Sequence, residues 1–422
     1  MNFDISRLGR EDSFSMRGFL LFPHSGSDHS WRTPALTSQP KSNRRITRKR
    51  GLSVAILASL TMLGVAGCDS GNESSNDAEK SVSDSASSKG DQSGDYPVTL
   101  KNCGRDLEIK QKPERVVALN QGVTEELLSM GFGDRVVGTA TWTDPILDNL
   151  KAANDKIKRL SDNNASMETV LDQNPDFVAA TFAQTLADSG SGSYESYKKV
   201  GVPAYLDHTE CTKSDKPGDN GDGGRKEKLR MSDIYTDIHD LAEIMGDKAA
   251  GDELQKKLED RIAKLSSSSK DIPSGTSVAF WFANSESPYM AGGKGAPQII
   301  ADQLGLKNVF EDNSEEWPQV GWEAIAAKDP DYLVVGDLTR KQQTAETAKE
   351  KIKFLKNNPV TRNMKAVKND HLIVVAGGDL NPGIRTVDGM EKVAHALAGG
   401  NQNGGQGSSE DNPQPEQGNK EE

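Results

Sequence analysis

One short pattern occurs twice in this chain, and no other feature narrows the available folds as much. The first copy is Ser166-Met-Glu168-Thr-Val-Leu-Asp-Gln-Asn-Pro175-Asp-Phe-Val. The second is Gly321-Trp-Glu323-Ala-Ile-Ala-Ala-Lys-Asp-Pro330-Asp-Tyr-Leu-Val. In both, a Glu stands seven residues before a Pro-Asp pair. In both, a short helical pattern gives way to an apolar strand pattern. Proline ends the helix, because it has no N–H to donate and restricts the residue before it. A Glu in the first turn meets the positive helix end, which alone is an ordinary arrangement. The repetition carries more: it predicts two similar lobes with a surface carboxylate at the same place in each.

Between the copies lies the one long helical pattern. Its apolar positions Ile234, Ile238, Leu241, Ile244, Met245, Leu254, Leu258, Ile262 and Leu265 follow the spacing of a helix face. Gly246 and Gly251 are the points where it would break or bend. Strands are predicted at 115–120, 177–181, 204–206, 278–282, 332–335 and 371–376, where short β-rich runs are mostly bounded by turn residues. Helical patterns at 125–130, 167–173, 296–304 and 323–328 alternate with them. Such alternation predicts an α/β fold. Two lobes bridged by one helix enclose a ligand cleft between them. The expected boundaries are an N-terminal lobe over 96–231, a linking helix over 232–267 and a C-terminal lobe over 268–398.

The segments outside those lobes explain a thin apolar content. Only 34% of the 422 residues are hydrophobic. Residues 41–50, KSNRRITRKR, are densely basic, and 52–65 are apolar or small. They match the n-region and h-region of a secretory signal, too short for an ordinary membrane span. The run ends in Leu63-Gly64-Val65-Ala66-Gly67-Cys68. Small residues before a Cys resemble the lipobox of bacterial lipoproteins, in which the thiol receives a diacylglycerol and becomes the new N-terminus. A diacyl anchor holds a protein without a span of its own. The expectation is an exported chain, lipid-anchored through Cys68 to the outer face of the cytoplasmic membrane. Arg44-Arg45 leaves twin-arginine and general secretion both open. Residues 1–40 precede a complete signal, and the true start is expected nearer Lys41. Residues 68–95 then form a polar tether, and 399–422 a tail without an apolar side chain. The polar stretch 212–228 reads as a surface loop.

With these segments set aside, the remaining 303 residues are about 38% hydrophobic, enough for two modest cores. The formal charge is −12. Loss of residues 1–67 removes ten Lys/Arg from 51 and four Asp/Glu from 63, leaving −18. That charge argues against nucleic acid as a partner. Six His residues include no His-x-x-x-His pair, and no Cys-x-x-Cys occurs among three cysteines. No Gly-x-Ser-x-Gly, His-Glu-x-x-His or dinucleotide fingerprint is present, so an enzyme is not expected. The Gly-rich loop at 291–295 is not a phosphate loop, since the Gly-x4-Gly spacing is absent.

Over 96–398 the chain resembles the helix-linked class of ABC-transporter substrate-binding proteins, which capture cobalamin, ferric siderophores or haem. The resemblance runs through Arg115-Val-Val-Ala-Leu-Asn120, Thr124-Glu125, Asp134-Arg-Val-Val-Gly138, Trp142-Thr-Asp-Pro145 and the two Glu…Pro-Asp units. Trp317-Pro-Gln-Val320 is the local match to the cobalamin binders. The resemblance implies two Rossmann-like lobes that move little on binding. It implies that Glu168 and Glu323 dock against arginines of a permease. It places Trp142 on the N-lobe rim of the cleft and Trp317 opposite, where aromatic faces suit large flat chelates.

Weaker ligand candidates are Trp281, at the end of the VAFWF strand, Tyr289, in the Gly-rich loop, and Arg385, at the start of the last helix. One of Trp281 and Phe282 is expected to face the core, and Arg385 could face an anionic chelate. Cys103 and Cys211 share the N-lobe of an exported chain and are expected to form a disulfide. The ligand expected first is a ferric siderophore, with cobalamin or haem as the alternative and a Zn or Mn binder further behind. No cofactor or resident metal is expected. The expected partners are the ABC permease and its ATPase, and the protein is expected to be a monomer.

Overall fold

The computed structural model describes residues 96–213, 223–268, 272–340 and 346–399. The expected signal, Cys68, the tether and the tail beyond residue 399 lie outside them. The described chain opens with a hairpin of β1 (Val98–Asn102) and β2 (Arg105–Ile109). Its two-residue turn, Cys103-Gly104, has φ of 48° and 79°. Positive φ at both positions matches the twist of a tight hairpin, and Gly104 adopts it without a Cβ clash. The expected disulfide between Cys103 and Cys211 is present and spans 108 residues of chain.

The N-terminal lobe continues with β3 (Val116–Ala118), α1 (Gln121–Ser129), β4 (Val136–Thr139), α2 (Lys151–Asn154), α3 (Met167–Leu171), β5 (Phe177–Ala180), α4 (Tyr194–Lys199), β6 (Ala204–Leu206) and α5 (His208–Cys211). Its strands form a parallel sheet in the order β4-β3-β5-β6. β3, β5 and β6 are buried at every position. Covered on both faces, such strands read as unbroken apolar runs rather than as alternation.

The expected single linking helix over 232–267 is instead two helices, α6 (Met231–Ile244) and α7 (Lys248–Ser268). Gly246, at φ 75°, breaks the pattern, because an L side chain disfavours that conformation. Gly251 stays helical and brings the pair together: a Cβ there would lie 2.8 Å from that of Ala242. α7 reaches the far lobe. Its Arg261 grips Asp388 at 2.7 Å and Glu391 at 2.6 and 2.9 Å.

The C-terminal lobe comprises β7 (Ser277–Trp281), α8 (Ala296–Gln303), β8 (Lys307–Asn308), α9 (Trp322–Lys328), β9 (Tyr332–Asp337), α10 (Ala348–Asn357), α11 (Lys365–Lys368), β10 (Leu372–Ala376) and α12 (Arg385–Leu397). Its parallel sheet runs β10-β9-β7-β8. All six predicted strands are present.

The repeated pattern performs the same two tasks in both lobes. The residue before each proline is left-handed, Asn174 at φ 49° and Asp329 at φ 44°. That reverses the chain at once after α3 and α9. The Asp after each proline then latches the start of a neighbouring strand. Asp176 accepts the backbone N–H of Glu114 and Arg115, both at 2.9 Å, ahead of β3. Asp331 accepts the N–H of Ser277 at 3.0 Å and its hydroxyl at 2.6 Å, at the head of β7.

Candidate ligand cleft

Every strand in both sheets is parallel to its neighbours, so the loops at the carboxyl ends of the strands gather at one edge of each sheet. These edges face each other. Loops after β3, β4 and β5 supply Gln121, Thr141, Thr143, Thr181 and Phe182 to one wall of a cleft. The segment after β10 supplies the other wall, from Gly378 and Asn381 to Arg385.

The lobes meet at the cleft through three consecutive residues, Thr143, Asp144 and Pro145. The Thr143 carbonyl accepts the Thr339 hydroxyl at 2.7 Å and its N–H at 3.2 Å. Asp144 accepts the Gly378 N–H at 2.5 Å. The Pro145 carbonyl accepts Arg385 Nη2 at 2.6 Å. Gln121 braces this turn, because its Oε1 accepts the N–H groups of Thr143 and Asp144 at 3.1 and 3.0 Å. Beside it, Arg385 of one lobe holds Glu125 of the other in a two-pronged pair at 2.7 and 2.6 Å. The Glu125 side chain is 1% exposed and that of Arg385 9%.

A second buried centre joins the lobes through Arg225. Its Nη2 donates to Glu316 of the C-terminal lobe at 2.8 and 2.9 Å and to Glu210 of the N-terminal lobe at 3.4 Å. Lys213 lies 3.1 Å from Glu210 and 3.3 Å from Glu316. Burial pushes the Glu316 carboxyl up, but the Arg225 and Lys213 charges outweigh it and hold it below the usual range. Arg225 is 2% exposed. Arg225 therefore departs from the expected surface loop over 212–228, while 226–228 are exposed and 214–222 lie outside the described residues.

Burial pushes the Asp144 carboxyl up to about 6, against the pull of the Gly378 N–H and Arg385. An unfolded Asp titrates near 3.9. The folded value is the higher one, so this group's contribution to stability falls as pH rises from about 4 to about 6. Asp144→Asn keeps an acceptor for Gly378 and removes the charge. Its urea midpoint should exceed that of the unsubstituted protein at pH 7, reflecting about 3 kcal/mol of added stability, and the gap should close towards pH 4. Equal midpoints at pH 7 would contradict the assignment. Deeper in the N-terminal lobe Glu126, Asp207 and Asp237 are each at most 2% exposed. Burial, and then their mutual repulsion, raises all three carboxyls well above the usual range.

The predicted site residues fare unequally. Trp281 is fully buried, T-stacked on Trp322 at 4.8 Å, with its indole N–H bonded to Ala283 and Asn284. It is a core residue, not a ligand contact, and the strand's half-buried aromatic is Phe282. Trp317 is 6% exposed and packs on Phe282 at 4.8 Å. Trp142 is 7% exposed, with the Arg159 guanidinium 4.2 Å above its ring, while its neighbours Thr141 and Thr143 line the cleft. Neither Trp presents the broad open face that the resemblance implied. Tyr289 is half-buried and pairs with Gln319 through the backbone. Arg385 does line the cleft, but Glu125 occupies its charge. Glu168 and Glu323 are both exposed, each in the first turn of its short helix. Among the described residues no group of three His, Cys, Asp or Glu is placed to hold a metal ion.

Two parallel-sheet lobes, a helical link and a cleft at their facing edges define a two-lobed ligand-binding protein. The chain belongs to the periplasmic binding protein family, whose pattern matches residues 116–377. It is 24% identical over 356 residues to an ABC transporter substrate-binding lipoprotein of Bacillus subtilis, covering 83% of this chain and 97% of that one. It is 24% identical over 229 residues to the vitamin B12-binding protein of Vibrio parahaemolyticus, covering 54% and 72%. A periplasmic binding protein from Veillonella parvula superposes with a TM-score of 0.62 at 25% identity, covering 72% of this chain and 97% of that one.

Proposed function

We propose that this chain is the substrate-binding lipoprotein of an ABC importer, capturing a ferric siderophore outside the membrane and delivering it to the permease. The observation that carries this reading is the cleft where both parallel sheets end. The likeness to the Bacillus subtilis lipoprotein along most of both chains supports the importer role. No chemistry is performed on the ligand: affinity and docking do the work. Cys68 would carry the diacylglyceryl anchor, and the tether would let the lobes reach the permease.

A corrinoid is the second reading. It is favoured by relatives from Vibrio and Halobacterium that bind vitamin B12 or cobalamin, and by Trp317-Pro-Gln-Val320. Tryptophan fluorescence titrations against ferric siderophores, cyanocobalamin and haemin test both. Quenching by a ferric siderophore is expected. Quenching by cyanocobalamin alone would transfer the assignment to the corrinoid, and binding of none of them would sink the proposal.

Glu168 and Glu323 are proposed to dock on permease arginines. Glu168→Ala combined with Glu323→Ala should abolish uptake in cells while affinity for the ligand in solution stays unchanged. Loss of affinity in the double variant would contradict the docking role.

A further inference from the structure

The charges lining the cleft specify what kind of chelate can enter it. Among the described lining residues only two are charged, Glu125 and Arg385, and they neutralise each other. Glu125 has no capacity to spare. Beyond Arg385, its Oε1 accepts Gln121 Nε2 at 3.0 Å and the Leu147 N–H at 3.3 Å. The Arg385 Nε and Nη2 are taken up by Glu125 and Pro145, and its Nη1 lies 3.9 Å from Asp379. A ligand anion would therefore meet no uncommitted cation among the described lining residues. Without a free counter-cation, nothing on the lining offsets what an anion loses in leaving water.

The rest of the lining is uncharged. Phe182 offers a half-buried ring and Asn381 a half-buried amide, while the Thr141 hydroxyl is donated to Asn164 and that of Thr181 accepts the Val123 N–H. Gly383, at φ 142°, keeps the far wall free of a side chain. An amide across from an aromatic ring suits a ligand that presents its own amides or hydroxyls.

We propose that the cleft takes an electroneutral chelate, gripped through uncharged amide or hydroxyl groups by Asn381 and Phe182 from opposite lobes, and discriminates against polyanionic chelates. This rests on the chelate-binding reading above and selects within it. The test is a fluorescence titration of the purified protein with four probes: an uncharged ferric trihydroxamate, cyanocobalamin, a ferric tricatecholate and haemin. At least one of the first two should bind about tenfold or more tighter than both of the anionic probes. Tighter or equal binding of either anion overturns this inference and leaves the chelate-binding function standing. Silence from all four overturns that function and the inference with it. Asn381→Asp should weaken the tightest neutral probe about tenfold, and Phe182→Ala should weaken it independently. Circular dichroism would confirm that both variants are folded. Unchanged affinity in both folded variants would remove these residues from the site.

Discussion

Arg385→Ala is expected to cost about 3–5 kcal/mol of folding stability. The loss comes less from the attraction forfeited than from what is left behind. Glu125 would be left in a site 1% open to water, with only Gln121 and a backbone N–H for company. A buried carboxylate without its counter-ion is strongly disfavoured, whereas removal of both partners at once is often tolerated. The Glu125→Gln, Arg385→Met double variant should therefore recover most of the loss. Urea denaturation followed by tryptophan fluorescence measures both. A double variant no more stable than Arg385→Ala would show that the cost lies in packing of the Arg385 stem and not in the stranded charge.

Arg225→Ala should be of similar size, about 3–5 kcal/mol. Here two carboxylates are abandoned instead of one. Glu210 and Glu316, with side chains 2% and 4% exposed, would face each other with Lys213 alone to separate them. The pH dependence gives a second signature. The folded value of Glu316 lies below the usual range, so its contribution is present above the unfolded value near 4.3 and lost as pH falls through the folded one. In Arg225→Ala the acid side of the stability profile should flatten. Retention of the full acid slope would assign it to other carboxylates. Glu316 precedes Trp317, so the emission of that indole offers a local monitor of the centre.

The repeated Glu…Pro-Asp pattern made the two lobes legible, because a helix stop and a buried strand are local chemistry. The six strands of 3–6 residues found where expected are those whose runs are apolar on both faces. β4 gives a weak strand signal, since Val136-Val-Gly-Thr139 is short and holds a glycine. The first hairpin escaped because its turn uses Cys103 at a left-handed position, where Asn or Gly is the usual signal. The site was less legible for a different reason. Glu125 and Arg385 are 260 residues apart, and nothing local in either says that each neutralises the other. Arg225 lies within a run of polar residues whose composition signals a solvated loop. The faces of Trp142, Trp281 and Trp317 depend on neighbours contributed by distant segments. Pattern can propose an aromatic, but only packing decides whether it is wall or core.

The seam between the lobes has a consequence for how such a protein can diversify. At Thr143 and Pro145 the contact is made by a main-chain carbonyl, not by a side chain. Every amino acid carries that carbonyl. Mutation can therefore explore side chains along this edge of the cleft while two of the three fastenings are inherited unchanged. A binder built this way can try new cargo without first renegotiating how its halves are held together.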